Sequence, residues 1–181
     1  MKVITMLSAA VISATTLIGN SLADTQILVD YTTPLDEAVY CSVDADNLSL
    51  ELIEQTDIPF DGENCAEILV ELIENEGFEP IYYGTTESGF YLSGIGGIDT
   101  SQITLTEDTI EYLTENNIEY TETVSSDDEL SEFDITDRSG WVFLINGELP
   151  SVGMCDYIPQ PGDEIRLTFT LNYGEDIDLS E

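Results

Sequence analysis

Histidine is absent from the 181-residue chain, and lysine occurs once, at Lys2. A serine or cysteine hydrolase needs a base that takes the proton of its nucleophile, and an imidazole or an amine usually does so. A pair of carboxylates could in principle hydrolyse a glycoside, but some such pair is inevitable among 38 acidic residues and therefore indicates nothing. The composition predicts a protein that is not an enzyme.

Positive charge is nearly missing as well. The chain has three Lys and Arg residues and 38 Asp and Glu residues, which gives a formal net charge of −35. The negative electrostatic field of such a protein repels nucleic-acid phosphates and anionic membrane surfaces, so neither is an expected partner. Because 42% of the residues are hydrophobic, the chain can still bury a core, and we interpret most of the acidity as a solvated, self-repelling surface.

Metal and cofactor motifs are also lacking. The three cysteines, Cys41, Cys65 and Cys155, have no zinc-site spacing, and without histidine a mixed His and Cys site is impossible. A single disulfide and three buried thiols both remain open. Asp44 and Asp46 resemble part of a calcium loop, but the glycine and glutamate of an EF-hand do not follow them. We predict no metal and no required cofactor.

The longest apolar stretch of the chain, residues 3–19, lies at the N-terminus and contains several Ser and Thr residues. It is too dilute for a stable membrane span, and it follows Lys2 and precedes Ser21-Leu22-Ala23, a small-residue cleavage pattern. We therefore predict a signal peptide over residues 1–23 and a single mature domain over 24–181. The expected location is secreted, either extracellular or at the cell surface.

Residues 139–170 have the clearest strand pattern and contain the only tryptophan. The aromatic and β-branched run from Trp141 to Ile145 is followed by Asn146-Gly147, which favours a type I′ turn, so we predict a β-hairpin with a short return arm ending at Pro150. Farther on, apolar residues alternate with polar ones from Ile165 to Thr170, which predicts a strand with one face toward the core and the other toward water.

Other elements follow from periodicity. The apolar residues of segment 61–77 recur at helical spacing, with Asn64 placed to cap the helix and Gly77 to end it. Strands are predicted at 25–31, 47–56, 80–83 and 89–95, the last two with four clustered aromatic residues that favour cross-strand packing over a ligand platform. The expected fold class is α+β: a small mixed or antiparallel sheet with one packed helix, β-grasp-like, plus an acidic insertion.

Several segments together resemble the transcobalamin-like C-terminal domain family, the β domain of transcobalamin and intrinsic factor with secreted bacterial relatives. They are the aromatic strand GWVFLING, the loop ending with Gly153, Asp156, Tyr157, Ile158 and Pro159, the GDEI sequence at 162–165, and GFYLSGIGGI at 89–98. The resemblance covers roughly residues 25–177. Segment 99–137 departs from the compact family pattern and is interpreted as an insertion, with a short helix capped by Thr106 and an acidic flexible loop over 125–134.

The resemblance implies a non-catalytic binding module. In transcobalamin and intrinsic factor this domain closes over cobalamin held by a separate helical domain, so a corrinoid is the implied ligand. The positions that would contact it are Trp141, Phe143, Leu149, Pro150 and Gly153. Two alternatives stay open: Trp141 and Phe143 can instead be core anchors, and the domain can instead bind another extracellular protein or serve a structural role without a corrinoid ligand.

Overall fold

A computed structural model describes residues 37–124 and 128–177, which fall within one compact unit, Thr32–Glu181. The strands are β1 Ala38–Ala45, β2 Leu50–Pro59, β3 Glu79–Thr85, β4 Ser88–Gly96, β5 Glu129–Ser131, β6 Gly140–Ile145 and β7 Glu164–Thr170. The helices are α1 Cys65–Asn75 and α2 Glu107–Glu115, with single 3-10 turns at Asp46–Leu48, Thr100–Gln102 and Met154–Asp156. The predicted signal peptide and the predicted strand at 25–31 lie outside the described residues.

Two sheets form the framework. The larger has the strand order β2-β1-β7-β6, in which β1 and β7 are parallel and the other neighbours antiparallel. The smaller has the order β3-β4-β5 and is antiparallel. A hairpin followed by a helix, with the last strand returning beside the first, is the β-grasp-like arrangement, and the α+β class is confirmed. No described helix has the length and apolar character needed to cross a bilayer.

Helix α1 forms where the periodicity predicts it. The Asn64 side chain accepts a hydrogen bond from the Glu67 N–H, and the Glu67 carboxylate accepts one from the Asn64 N–H, each at 3.0 Å, which makes a complete capping box. At the other end Gly77 has a φ of 90°, and the Phe78 N–H donates to the Ile73 carbonyl, which is a Schellman ending. Its apolar face, including Leu69 and Ile73, is buried in the core shared by both sheets.

Segment 99–137 is part of the same core. Thr106 caps α2 by accepting a hydrogen bond from the Thr109 N–H, as predicted. The prediction of a flexible loop over 125–134 is wrong for its described part, because residues 129–131 form β5 against β4 and Leu130 is fully buried. At Gly94 a Cβ would lie 2.0 Å from Ser131 Oγ and 3.2 Å from Ser131 Cβ, so a larger residue at this position would require Ser131 to shift. That the segment is an insertion relative to the family stays a prediction.

The hairpin prediction needs a correction. Asn146 and Gly147 do adopt positive φ angles of 52° and 78°, as a type I′ turn requires. However, the return arm forms only one bridge, between Ile145 and Glu148, and the ladder partner of β6 is β7. Pro150 has no N–H to donate, so the chain leaves the sheet and returns after a long loop.

The outer face of β7 also differs from the prediction. Thr168 and Thr170 were expected to face water, yet they are only 2% and 1% exposed. The Thr168 hydroxyl donates to Asp44 Oδ1 at 2.6 Å, and the Thr170 hydroxyl donates to Asp176. The carboxylates of Asp44, on β1, and of Asp176, just after β7, therefore satisfy the hydroxyl groups of this face.

Candidate binding cleft

A cleft of about 250 Å³ lies beside β6, where the larger sheet ends and β4 of the smaller sheet passes. We call it the Trp141 cleft. Its lining residues are Phe90, Tyr91 and Leu92 from β4, Trp141, Val142 and Phe143 from β6, and Leu149, Pro150, Gly153 and Met154 from the loop after β6. None of these side chains carries a formal charge at neutral pH, so the cleft is suited to an uncharged, largely apolar surface.

All five residues that the resemblance assigns to ligand contact line this cleft. Trp141 and Phe143 form its inner wall and are 6% and 8% exposed, while Leu149 stands at the rim and is 43% exposed. Sequence reasoning missed the opposite wall, Phe90 to Leu92. The aromatic cluster in that strand was visible in the sequence, but nothing there indicated that it faces β6.

Trp141 is at the same time a core residue. Its indole Nε1 donates a hydrogen bond to the Leu130 carbonyl at 3.1 Å, and its ring meets Phe169 edge-on with centroids 5.2 Å apart. The core-anchor interpretation therefore holds for Trp141, since one face of the ring is fixed in the interior. A residue held this firmly can still present its remaining edge to a ligand without a cost in side-chain entropy.

The edge of β6 adds backbone groups to the cleft. The Asn146 N–H donates to the carbonyl of Glu164, the residue opposite it, so Asn146 is a hydrogen-bonded position of the ladder with β7. In an antiparallel ladder every second residue of β6 then bonds to β7, and the residues between them do not. By that alternation, the N–H and C=O groups of Trp141 and Phe143 point away from β7. Within residues 37–124 and 128–177, no other strand pairs with this edge.

A second cleft, of about 620 Å³, is lined by residues 117–121, 133 and 135–138. It is larger but more polar, and it holds the partly exposed Arg138. That guanidinium donates from Nη1 to Asn172 Oδ1 at 3.0 Å and lies 3.7 Å from the Asp137 carboxylate. We favour the Trp141 cleft as the candidate site because apolar walls and a few backbone groups are typical of ligand sites.

The cysteines and the calcium-loop-like carboxylates each have a defined environment in the described part of the chain. Cys41, Cys65 and Cys155 are free thiols, and burial raises the pKa of Cys41 and of Cys65 to about 12, which keeps both protonated at neutral pH. The residues 37–124 and 128–177 contain no cluster of acidic or cysteine side chains fit to hold a metal ion. Asp44 and Asp46 both contact Arg166, so a guanidinium already neutralises the calcium-loop-like carboxylates.

Comparison with protein families gives one match, which covers part of the chain. Comparison of the chain with curated proteins gives no match. Residues 104–171 match the family described as Domain of unknown function (DUF4430). The matched range contains α2, β5, β6 and β7 and therefore one wall of the Trp141 cleft. What can be said of identity is thus that this part of the chain is similar to the DUF4430 family.

Proposed function

We propose that this chain is an exported, non-catalytic binding module whose ligand lies in the Trp141 cleft. The observation that carries the proposal is the convergence on one apolar cleft of five residues that the resemblance assigns to ligand contact. They come from β6 and from the loop that follows it, while β4, about 50 residues earlier in the chain, supplies the facing wall. Buried aromatic anchors with a more exposed rim are typical of a binding surface.

A corrinoid such as cobalamin is the ligand that we propose first. The uncharged walls fit the apolar edge of a macrocycle, and the outward backbone groups of β6 can bond its amide side chains. With a volume of about 250 Å³, the cleft is smaller than the roughly 300–1,000 Å³ of drug-sized sites, so it would hold only an edge of the ligand. A second protein would then cover the rest. No imidazole of this chain can coordinate cobalt, because histidine is absent.

The proposal predicts a saturable change in tryptophan fluorescence when the purified chain is titrated with cobalamin or cobinamide. Trp141 is the only tryptophan, so the signal reports directly on the cleft. Leu149→Asp adds a carboxylate at the rim and should weaken binding about tenfold, because the ligand would desolvate that charge. Leu149 is 43% exposed, so the fold should tolerate the change.

Val152→Asp is the matched control. Val152 lies in the same loop and is 45% exposed, yet it does not line the cleft. It adds the same charge and should leave the affinity unchanged. Equal losses in both variants would indicate a general effect of the added charge on the loop rather than the loss of a contact in the cleft, and no saturable change with either corrinoid would exclude this ligand class.

A second candidate function is the binding of another extracellular protein, and the open edge of β6 favours it. An extended peptide can add to such an edge through main-chain hydrogen bonds while its side chains occupy the adjoining cleft. This candidate differs from the first in one measurable respect, since corrinoids would then leave the fluorescence of Trp141 unchanged.

A further inference from the structure

Two exposed tyrosines and a carboxylate form a row across the smaller sheet. Tyr83 on β3 pairs in register with Tyr91 on β4, and their rings stack with centroids 6.4 Å apart and planes 22° apart. The Tyr91 hydroxyl donates to Glu132 Oε2 at 2.5 Å, just beyond β5. We call these three residues the tyrosine row.

The row is open to solvent. Tyr83 is 66% exposed and Tyr91 is 48% exposed, so much of each ring remains uncovered by the described chain. Glu132 Oε1 accepts no hydrogen bond within residues 37–124 and 128–177, in contrast to Oε2. Burial and the hydrogen bond to Glu132 raise the pKa of Tyr91 to about 12, so its hydroxyl stays a donor at neutral pH. The row therefore presents two aromatic rings beside one negative charge.

Charge restricts what can bind there. The net charge of −35 makes a second copy of this chain, a nucleic acid or an anionic lipid surface repulsive as a partner. Both arginines of the chain are engaged elsewhere, Arg166 with Asp44 and Asp46, and Arg138 with Asn172. Within residues 37–124 and 128–177, which contain no lysine, no further cationic side chain is left to cover this row.

We propose that the tyrosine row is a docking surface for a basic polypeptide segment, with its lysine or arginine side chains over the exposed Tyr83 and Tyr91 rings and in ion contact with Glu132. Aromatic faces attract ammonium and guanidinium groups through the ring quadrupole, and a neighbouring carboxylate adds a charge-assisted hydrogen bond. This surface is separate from the proposed corrinoid contact except at Tyr91, which also borders the Trp141 cleft. The docking proposal therefore does not depend on whether the Trp141 cleft binds a corrinoid.

The test is calorimetric titration of the full chain with an acetylated and amidated tetralysine peptide at about 150 mM salt, where long-range attraction is screened. Tyr83→Ala should weaken binding about two- to fivefold, the value expected of an exposed cation–π contact, and Tyr83→Phe should retain the affinity. Glu132→Gln should also weaken it. Two variants are matched controls. Tyr173→Ala removes an equally exposed tyrosine outside the row and is the control for Tyr83→Ala, and Glu111→Gln makes the same charge change on α2 and is the control for Glu132→Gln.

The proposal is overturned if Tyr83→Ala binds tetralysine as tightly as Tyr173→Ala does. It is likewise overturned if Glu111→Gln lowers the affinity for tetralysine as much as Glu132→Gln does, since the peptide would then be attracted to an acidic protein in general. It is also overturned if a neutral oligosaccharide binds with dependence on Tyr83 while tetralysine does not. Because Tyr83 and Tyr173 are exposed, their alanine variants should remain folded, and thermal unfolding of each variant checks this.

Discussion

Replacing Trp141 with alanine is expected to lower the free energy of unfolding by about 3–5 kcal/mol, as large-to-small changes of buried aromatic residues do. The ring is 6% exposed and packs edge-on against Phe169. Its removal leaves a cavity between the two sheets, and the buried Leu130 carbonyl loses the hydrogen bond from Nε1. Urea unfolding followed by circular dichroism measures the change, since the variant has no tryptophan fluorescence.

Two further variants serve as comparisons for this prediction. Trp141→Phe keeps most of the buried area but loses the hydrogen bond to Leu130, so it should lower the free energy of unfolding by less, about 1–2 kcal/mol. Tyr173→Ala removes a ring that is 67% exposed and should change stability by no more than about 0.5 kcal/mol. If Trp141→Ala cost as little as Tyr173→Ala, Trp141 would not be a core residue.

Replacing Arg166 with methionine is the second large effect, with an expected loss of about 2–3 kcal/mol. Breaking a buried ion pair costs roughly 3–5 kcal/mol because one charge remains uncompensated, and the 29% exposure of the Arg166 side chain reduces the figure. The charge left behind is Asp44, which is 8% exposed and accepts hydrogen bonds from Arg166 and Thr168. Chemical denaturation of the variant gives the value.

A double variant tests the cause of that loss. In Arg166→Met with Asp44→Leu the buried charge is absent, so much of the lost stability should return. Arg138→Met is the matched single control, because the side chain of that arginine is more exposed and its partners among the described residues are a solvated Asp137 and Asn172. The expected loss of stability is about 1 kcal/mol or less. A double variant less stable than Arg166→Met alone would contradict the assignment of the cost to Asp44.

Local patterns were sufficient to predict several elements. Helix α1 has its apolar stripe, its capping residue Asn64 and its terminal Gly77 within one short segment, and α2 has its cap at Thr106. Strands β3, β4, β6 and β7 likewise follow from alternation and turn residues. In each case the residues that determine the element are neighbours in the sequence.

Long-range pairing explains what was missed. Strand β1, which lies in the middle of the larger sheet, was not predicted, although Val39, Cys41 and Val43 alternate and are fully buried. Its parallel partner β7 is about 120 residues away, and the ion pair between Asp44 on β1 and Arg166 on β7 spans the same sequence distance. Strand β5 was hidden in an acidic run because only pairing with β4 makes Leu130 a core residue.

One wall of the candidate site could be predicted from the sequence and the other could not. The β6 wall and the loop from Leu149 to Gly153 followed from a resemblance carried by contiguous motifs. The facing wall depends on how β4 passes β6, and residue spacing does not encode that approach. The aromatic cluster on β3 and β4 does pack across the strands, as Tyr82 and Phe90 do with centroids 4.9 Å apart, yet Tyr83 and Tyr91 also remain exposed.

The most direct test of the binding proposal is a nuclear magnetic resonance map of the isotopically labelled chain with and without cobinamide. We expect the largest shifts at the indole N–H of Trp141 and at the amides of Phe143, Leu149 and Gly153, with Phe90 on the facing strand also affected. Shifts confined to residues 117–121 and 133–138, or none at saturating ligand, would contradict the assignment of the Trp141 cleft as the site.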